Sequence, residues 1–165
     1  MIAVSFVEDY CKNSDAIVDM VEKYSDKFHV RKPGEKYNFS TNYGDSQLKS
    51  MFEWNMPEEL KKLVMESVPK EDRSCDGFVI NRYDPGDYLL RHKDSAGGYW
   101  KFKLIFLRSD RPHFAWYDEQ GQQQLVEEKP GMLLVMPINL EHEVTKIEED
   151  ERPKYSLVLT WGKII

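Results

Sequence analysis

Cysteine is scarce in this chain. Its 165 residues include only Cys11 and Cys75, and neither lies in a CxxC pattern. Two cysteines are too few for a disulfide framework, so a disulfide-stapled scaffold and a cysteine-based zinc module are excluded. This usage predicts a protein of a reducing compartment, the cytoplasm.

Long apolar runs and an excess of positive charge are also missing. The sequence contains no apolar run near the length of a membrane span, and its start does not combine a basic region with an apolar stretch. We therefore expect no membrane segment and no signal peptide. The net charge of −6 disfavours a protein that binds nucleic acid through broad attraction to phosphates.

What is present fits one compact domain. The chain is 41% hydrophobic, which is enough for a core at this length. Internal repeats, heptads and low-complexity segments are absent from the sequence. The domain prediction is therefore a single unit spanning 1–165.

Hydrophobic periodicity predicts helices in the first half of the chain. Asn13 or Ser14 suits an N-cap, and apolar residues at helical spacing continue to about Tyr24. A second amphipathic helix is predicted from Pro57 to about Val68. Weaker signals predict strands at 2–7 and 37–40 and a turn at 32–34.

After Gly77 the pattern changes to short β-type runs separated by turns. The runs lie at 78–80, 88–90, 102–107, 114–117, 132–136 and 155–161. Such spacing is typical of an antiparallel sandwich or jelly roll. The predicted fold is mainly β with N-terminal helices (α+β). A helical and mixed part occupies about 1–76, and a jelly-roll core, a double-stranded β-helix flanked by helices, occupies about 77–165.

A histidine and a carboxylate stand two residues apart at His92 and Asp94. In extended backbone both side chains project to one face, so they can share a metal ion. A second histidine would complete a 2-His-1-carboxylate triad, which binds Fe(II) and leaves coordination positions open. His29 lies before the β core, and His113 suits a turn or a substrate contact. His142 follows an apolar strand and is the preferred third ligand.

Three further motifs accompany this triad. In chain order they are Asn81-x-Tyr83-x-Pro85-Gly86, the run from Gly131 to Pro137 that leads to His142-Glu143-Val144, and Lys154-Tyr155-Ser156-Leu157. With His92-x-Asp94, they resemble the Fe(II)/2-oxoglutarate-dependent dioxygenases, most closely the prolyl 4-hydroxylase-type branch. The resemblance covers residues 78–161.

The resemblance implies roles for individual residues. It implies His92, Asp94 and His142 as the iron ligands, which would also be the catalytic centre. It implies that Lys154 pairs with the distal carboxylate of 2-oxoglutarate and that Ser156 donates a hydroxyl hydrogen bond to the same group. Many relatives have Arg at the lysine position, and Lys cannot form the bidentate fork of Arg.

Arg152 is an alternative to Lys154 for that role. Lys154 is preferred because Pro153 interrupts the strand before it. The Lys154-x-Ser156 spacing also places both side chains on one face of a strand.

Asn81 and Tyr83 share a strand face and are further candidates for binding 2-oxoglutarate. The start of this motif is also similar to the AlkB-type nucleic-acid demethylases. That branch is expected to carry an Arg-x-Asn-x-Thr-x-Arg strand, whereas this chain has Lys154-x-Ser156-x-Val158-x-Thr160.

The resemblance implies an enzyme that uses Fe(II), 2-oxoglutarate and O₂ to hydroxylate a C–H bond, with succinate and CO₂ as co-products. The expected substrate is a prolyl or other residue of a protein or peptide. An AlkB-like oxidative demethylase of nucleic acid and a cupin-like binding module without catalysis are the alternatives. Gly97 to Trp100 suit a loop at the mouth of the site.

Overall fold

The structure is a computed structural model that describes residues 4–33, 46–94 and 99–162. Within these ranges the chain forms α1 (Ser14–Lys23) and α2 (Glu58–Ser67). The strands are β1 (Ser5–Val7), β2 (His29–Arg31), β3 (Leu48–Phe52), β4 (Gly77–Tyr83), β5 (Leu89–His92), β6 (Tyr99–Arg108), β7 (Phe114–Tyr117), β8 (Gln123–Leu125), β9 (Leu133–Val135), β10 (His142–Val144) and β11 (Lys154–Gly162). Short 3₁₀ turns lie at Ser25–Lys27, Glu53–Asn55 and Lys70–Ser74.

The described strands form two antiparallel sheets. The larger has seven strands in the order β1-β9-β6-β11-β4-β3-β2, and the smaller has four in the order β5-β10-β7-β8. Neighbours in each sheet are mostly distant in sequence, as a jelly roll requires. The fold class predicted from sequence is confirmed, although the sheets form a sandwich and do not close into a barrel.

Strand β11 separates two apolar cores. Its odd-numbered residues, such as Tyr155 and Leu157, pack with Ile17 of α1 and Leu60 of α2 on the outer face of the large sheet. Because side chains alternate along a strand, its even-numbered residues point into the space between the sheets. They are Lys154, Ser156, Val158 and Thr160, and all four line a cavity there.

The helices begin and end close to their predicted bounds. Asn13 has φ of +57°, and its carbonyl accepts the Ile17 backbone N–H at 2.9 Å. Its side chain does not cap the helix but donates to Ser67 Oγ at 3.3 Å, so it links α1 to α2. Among the described residues, no helix is long and apolar enough to cross a membrane.

Four short strands were not among the predicted runs: β2, β3, β8 and β10. Strand β10 matters most. We expected His142 to follow the end of an apolar strand, but it begins this separate strand. The expected strand at 37–40 lies outside the described residues, as do residue 34 of the expected turn and the first three residues of the chain.

Candidate active site

The three expected metal ligands come together between the sheets. His92 ends β5, His142 begins β10, and the two residues are paired across the antiparallel ladder. Asp94 lies two residues beyond His92, and its Oδ1 is 3.2 Å from His92 Nε2. Its Oδ2 is 3.1 Å from His142 Nε2. All three side chains are buried, and their ligand atoms lie within 4.8 Å of one another.

Backbone carbonyls orient both imidazole rings. His92 Nδ1 is 2.6 Å from the carbonyl oxygen of Leu90, and His142 Nδ1 is 2.9 Å from that of Leu140. A carbonyl only accepts hydrogen bonds, so each Nδ1 carries the proton and donates. In the neutral ring this leaves a lone pair on each Nε2, directed towards Asp94. Histidine ligands of metals are commonly oriented by such a bond.

The electrostatics of the triad favour an ionised carboxylate. Burial by itself would raise the pKa of Asp94, but the adjacent His142 and His92 rings hold it well below its usual range. Burial likewise opposes the charged form of His142, while Asp94 raises the pKa of that ring. The carboxylate is therefore in the deprotonated form that binds a divalent cation.

The donor set fits Fe(II). Two imidazole nitrogens and one carboxylate oxygen, buried on one wall of a cavity, correspond to the facial triad of non-haem iron oxygenases. Aromatic rings surround one ligand: Phe114 stacks on His142 with centroids 5.4 Å apart, and Phe102 lies 6.4 Å away. These rings limit the access of water to the ligand atoms.

A cavity of about 630 Å³ extends from the triad along the inner face of the large sheet. Lys154, Ser156, Asn81 and Tyr83 all line it, because alternate side chains of β4 and β11 face the space between the sheets. The register pairs Lys154 with Tyr83 and Ser156 with Asn81. The four candidate cosubstrate residues therefore form two cross-strand pairs on the same face of β4 and β11, and they line the same cavity as the triad.

Hydrogen bonding and burial define the state of two of these groups. Asn81 Oδ1 accepts a hydrogen bond from Ser50 Oγ at 2.7 Å, which fixes the amide and turns its NH₂ to the other side. Burial raises the pKa of the Tyr83 phenol, so it remains a protonated hydroxyl that can donate. Both groups can therefore donate to a carboxylate.

Lys154 is buried and binds a carboxylate that sequence reasoning missed. Its Nζ donates to Glu128 Oε1, and the two side chains are only 2% and 1% exposed. Glu128 lies between β8 and β9, in a segment without an apolar period. The nearby sequence offers no signal that would separate Glu128 from its exposed neighbour Glu127.

The other candidates lie elsewhere. Arg152 points outward, 65% exposed, and binds Asp110 at 2.6 Å. His29 is exposed on the edge strand β2. His113 is buried against Glu151, with Nε2 to carboxylate oxygen distances of 2.8 and 2.9 Å.

The cavity also contains residues that the sequence did not point to, among them a buried arginine. Arg31, buried on β2, lines the cavity although it was not among the predicted site residues. Of the expected mouth loop, residues 97 and 98 lie outside the described ranges, whereas Tyr99 and Trp100 are not in a loop but begin β6.

Comparisons with known proteins define the fold. No protein-family model and no curated protein matches the sequence. Among solved structures, a prolyl-4-hydroxylase from Pseudomonas putida is similar with a TM-score of 0.64 and 13% identity, covering 99% of this chain and 94% of that one. A prolyl hydroxylase from Trichoplax adhaerens, in complex with a hypoxia inducible factor peptide fragment, has a TM-score of 0.69 and 15% identity, covering 96% and 83%.

OsALKBH1 is also similar, with a TM-score of 0.56 and 14% identity, covering 96% of this chain and 97% of that one. The fold is therefore the one found in 2-oxoglutarate and Fe(II) oxygenases, prolyl 4-hydroxylases included. The resemblance noted in the sequence is confirmed at this level.

Proposed function

We propose that this protein is an Fe(II)- and 2-oxoglutarate-dependent dioxygenase that hydroxylates a C–H bond of a protein or peptide substrate, a prolyl or other residue. The observation that carries the proposal is the geometry of the triad. Two Nε2 lone pairs and the Asp94 carboxylate converge within 4.8 Å on the wall of a cavity that also presents a lysine.

When bound, Fe(II) with 2-oxoglutarate supplies the oxidation of a C–H bond by O₂, with succinate and CO₂ as co-products. His92, Asp94 and His142 would hold the metal on one face only, so the cavity side remains open to ligands. Lys154, Ser156 and Tyr83 would bind the distal carboxylate of the cosubstrate, and Asn81 would also donate a hydrogen bond.

The walls between the triad and Lys154 are apolar. Phe106 lies against Lys154 and Phe114 lies against His142, and Leu104 and Val144 also line the cavity. A low dielectric strengthens the pairing of a carboxylate with a lysine, and exclusion of water protects a reactive centre from side reactions.

The cavity also offers an aromatic surface to a peptide. Phe52 and Trp54 line it, stacked with centroids 4.7 Å apart and an interplanar angle of 4°. Trp54 is 70% exposed and offers a rigid surface against which a prolyl ring or another side chain can pack. The Trichoplax neighbour, whose structure contains a peptide, supports the same substrate class.

The test is succinate formation by purified protein supplied anaerobically with Fe(II) and then exposed to O₂, with a panel of peptides. We expect turnover that requires both iron and 2-oxoglutarate and disappears in His92→Ala. His29→Ala, which changes an exposed histidine outside the cavity, is the matched control. Succinate production unchanged in His92→Ala would contradict the proposal.

A second candidate is oxidative demethylation of nucleic acid, favoured by the similarity to OsALKBH1. The net charge of −6 and the Lys154-x-Ser156 strand weigh against it. Methylated oligonucleotides in the same assay separate the two activities. A third candidate, a cupin-like binding module, requires that neither Fe(II) nor 2-oxoglutarate raises the melting temperature.

A further inference from the structure

The Lys154 ammonium contacts a carboxylate that is itself fixed by backbone hydrogen bonds. Glu128 Oε1 accepts its hydrogen bond from Lys154. Glu128 Oε2 accepts the backbone N–H of His113 at 2.6 Å and that of Phe114 at 2.9 Å. Hydrogen bonds from β11 and from the start of β7 therefore hold this carboxylate in one place, with its side chain 1% exposed.

We propose that Glu128 is a positioning residue that holds the Lys154 ammonium at the end of the cavity, ready to bind the distal carboxylate of 2-oxoglutarate. This inference rests on the proposed function. An ammonium has three N–H bonds, and the contact with Glu128 uses one of them. The other two are available to groups in the cavity.

The arrangement of the pair favours positioning over competition. Lys154 lines the cavity and Glu128 does not, so a cosubstrate and Glu128 would approach the ammonium from different sides. The Phe106 ring, 4.8 Å from Lys154 Nζ, packs against the same ammonium and restricts its movement. A flexible four-carbon side chain is thereby confined to one position before any ligand binds.

Glu128 also favours the charged form of the ammonium, against the effect of burial. Burial lowers the pKa of Lys154 to about 7, while a carboxylate in contact favours the protonated form. Among the described residues, the Tyr83 phenol from β4 and the Arg31 guanidinium from β2 also line the cavity near this end, and the two interact electrostatically. From β6 and β7 the neighbours are Phe106 and Phe114, which carry no charge.

The experiment measures cosubstrate binding without catalysis. The full chain is loaded with Mn(II), and 2-oxoglutarate is titrated calorimetrically into wild type, Glu128→Gln and Glu127→Gln at about pH 6 and about pH 8. We expect wild type and the exposed control Glu127→Gln to bind equally at each value. Glu128→Gln should bind roughly tenfold more weakly than both, because its ammonium is no longer confined. The loss should be larger at the higher value, because a lysine without its carboxylate partner gives up its charge at a lower pH than in wild type.

Affinity of Glu128→Gln equal to or tighter than wild type at both values, or with the same pH dependence, overturns the inference. If that variant does not fold, Glu128→Asp replaces it: the charge remains, but the shorter side chain cannot reach Lys154 and both N–H groups together. It should bind more weakly without a new pH dependence, and wild-type affinity would refute positioning. If wild type itself binds no 2-oxoglutarate, the proposed function fails, which is a different result.

Discussion

His142 lies directly opposite His92 in the β5–β10 ladder, with ring centroids 4.3 Å apart and an interplanar angle of 62°. Antiparallel pairing therefore brings together two histidines that are far apart in the chain. The Asp94 carboxylate lies within 3.2 Å of the Nε2 atom of each ring. Each histidine is a residue of a strand, so the separation of the two rings depends on the ladder itself.

Metal binding should depend on this pair. In wild type, a divalent metal at about 100 times its dissociation constant should raise the free energy of unfolding by roughly 2.7 kcal/mol. His142→Ala should lose that increase, because two ligands hold the metal too weakly. Thermal unfolding with and without Mn(II), followed by addition of a chelator, measures the effect. His29→Ala should keep the full increase, and its loss there would point to metal binding outside the triad.

Binding of 2-oxoglutarate should distinguish the two basic residues of the C-terminal segment. Lys154→Ala should abolish measurable binding to the Mn(II)-loaded protein. It should also cost about 3–5 kcal/mol of stability, since the Glu128 carboxylate remains buried without its partner. Arg152→Ala removes only an exposed ion pair with Asp110, a kind of pair that contributes little to stability, and should bind normally. Calorimetric titration checks both variants. If Arg152→Ala loses binding and Lys154→Ala keeps it, Arg152 is the residue that binds the distal carboxylate.

Trp54 should contribute to binding of the peptide substrate and not to turnover of 2-oxoglutarate. Trp54→Ala removes an exposed ring without touching the triad or Lys154. We expect a higher KM for the peptide substrate, while the slow turnover of 2-oxoglutarate without peptide stays at the wild-type rate. Succinate assays with and without peptide provide the comparison. Equal losses in both assays would place Trp54 in the core chemistry instead.

A glycine next to the first helix should be irreplaceable. Gly131 has φ of +81°, and a Cβ there would lie 2.5 Å from the backbone oxygen of Cys11. Gly131→Ala should therefore lower the free energy of unfolding by roughly 3 kcal/mol or more. Gly121 has φ of +75° with open space around it, so Gly121→Ala should cost only about 1–2 kcal/mol. Urea unfolding of both variants tests the difference.

Alkaline pH should destabilise the fold through Cys11. Burial raises the pKa of its thiol to about 12, whereas the exposed thiol of the unfolded chain titrates near its ordinary value of 9.0. Above that value the unfolded state releases the proton and the folded state keeps it, so stability falls as pH rises. Cys11→Ala should be less stable than wild type, and this difference in the free energy of unfolding should shrink between about pH 8 and pH 10. A difference in the free energy of unfolding that stays constant over this pH range, measured by urea unfolding, would exclude this mechanism.

Much of the fold was predictable because its signals are local. Helix α2 follows from Pro57 and an apolar stripe, and the alternation on β11 correctly grouped Lys154 with Ser156 on one face. Strands β2, β8 and β10 were missed because each has three residues of which two are polar, so no apolar run marks them. Strands β1 and β9 are equally short but lie within apolar runs. Their pairing depends on neighbours far away in the chain.

The candidate chemical groups can be identified from the sequence alone: a histidine and a carboxylate two residues apart, few other histidines, and a basic-x-hydroxyl pair near the end. Spacing and residue type express these features directly. Only the tertiary structure decided that Lys154 faces the cavity while Arg152 faces outward, and that Glu128, 26 residues away, holds Lys154. Burial of a charge and the choice of its partner depend on packing between distant segments, which no local pattern contains.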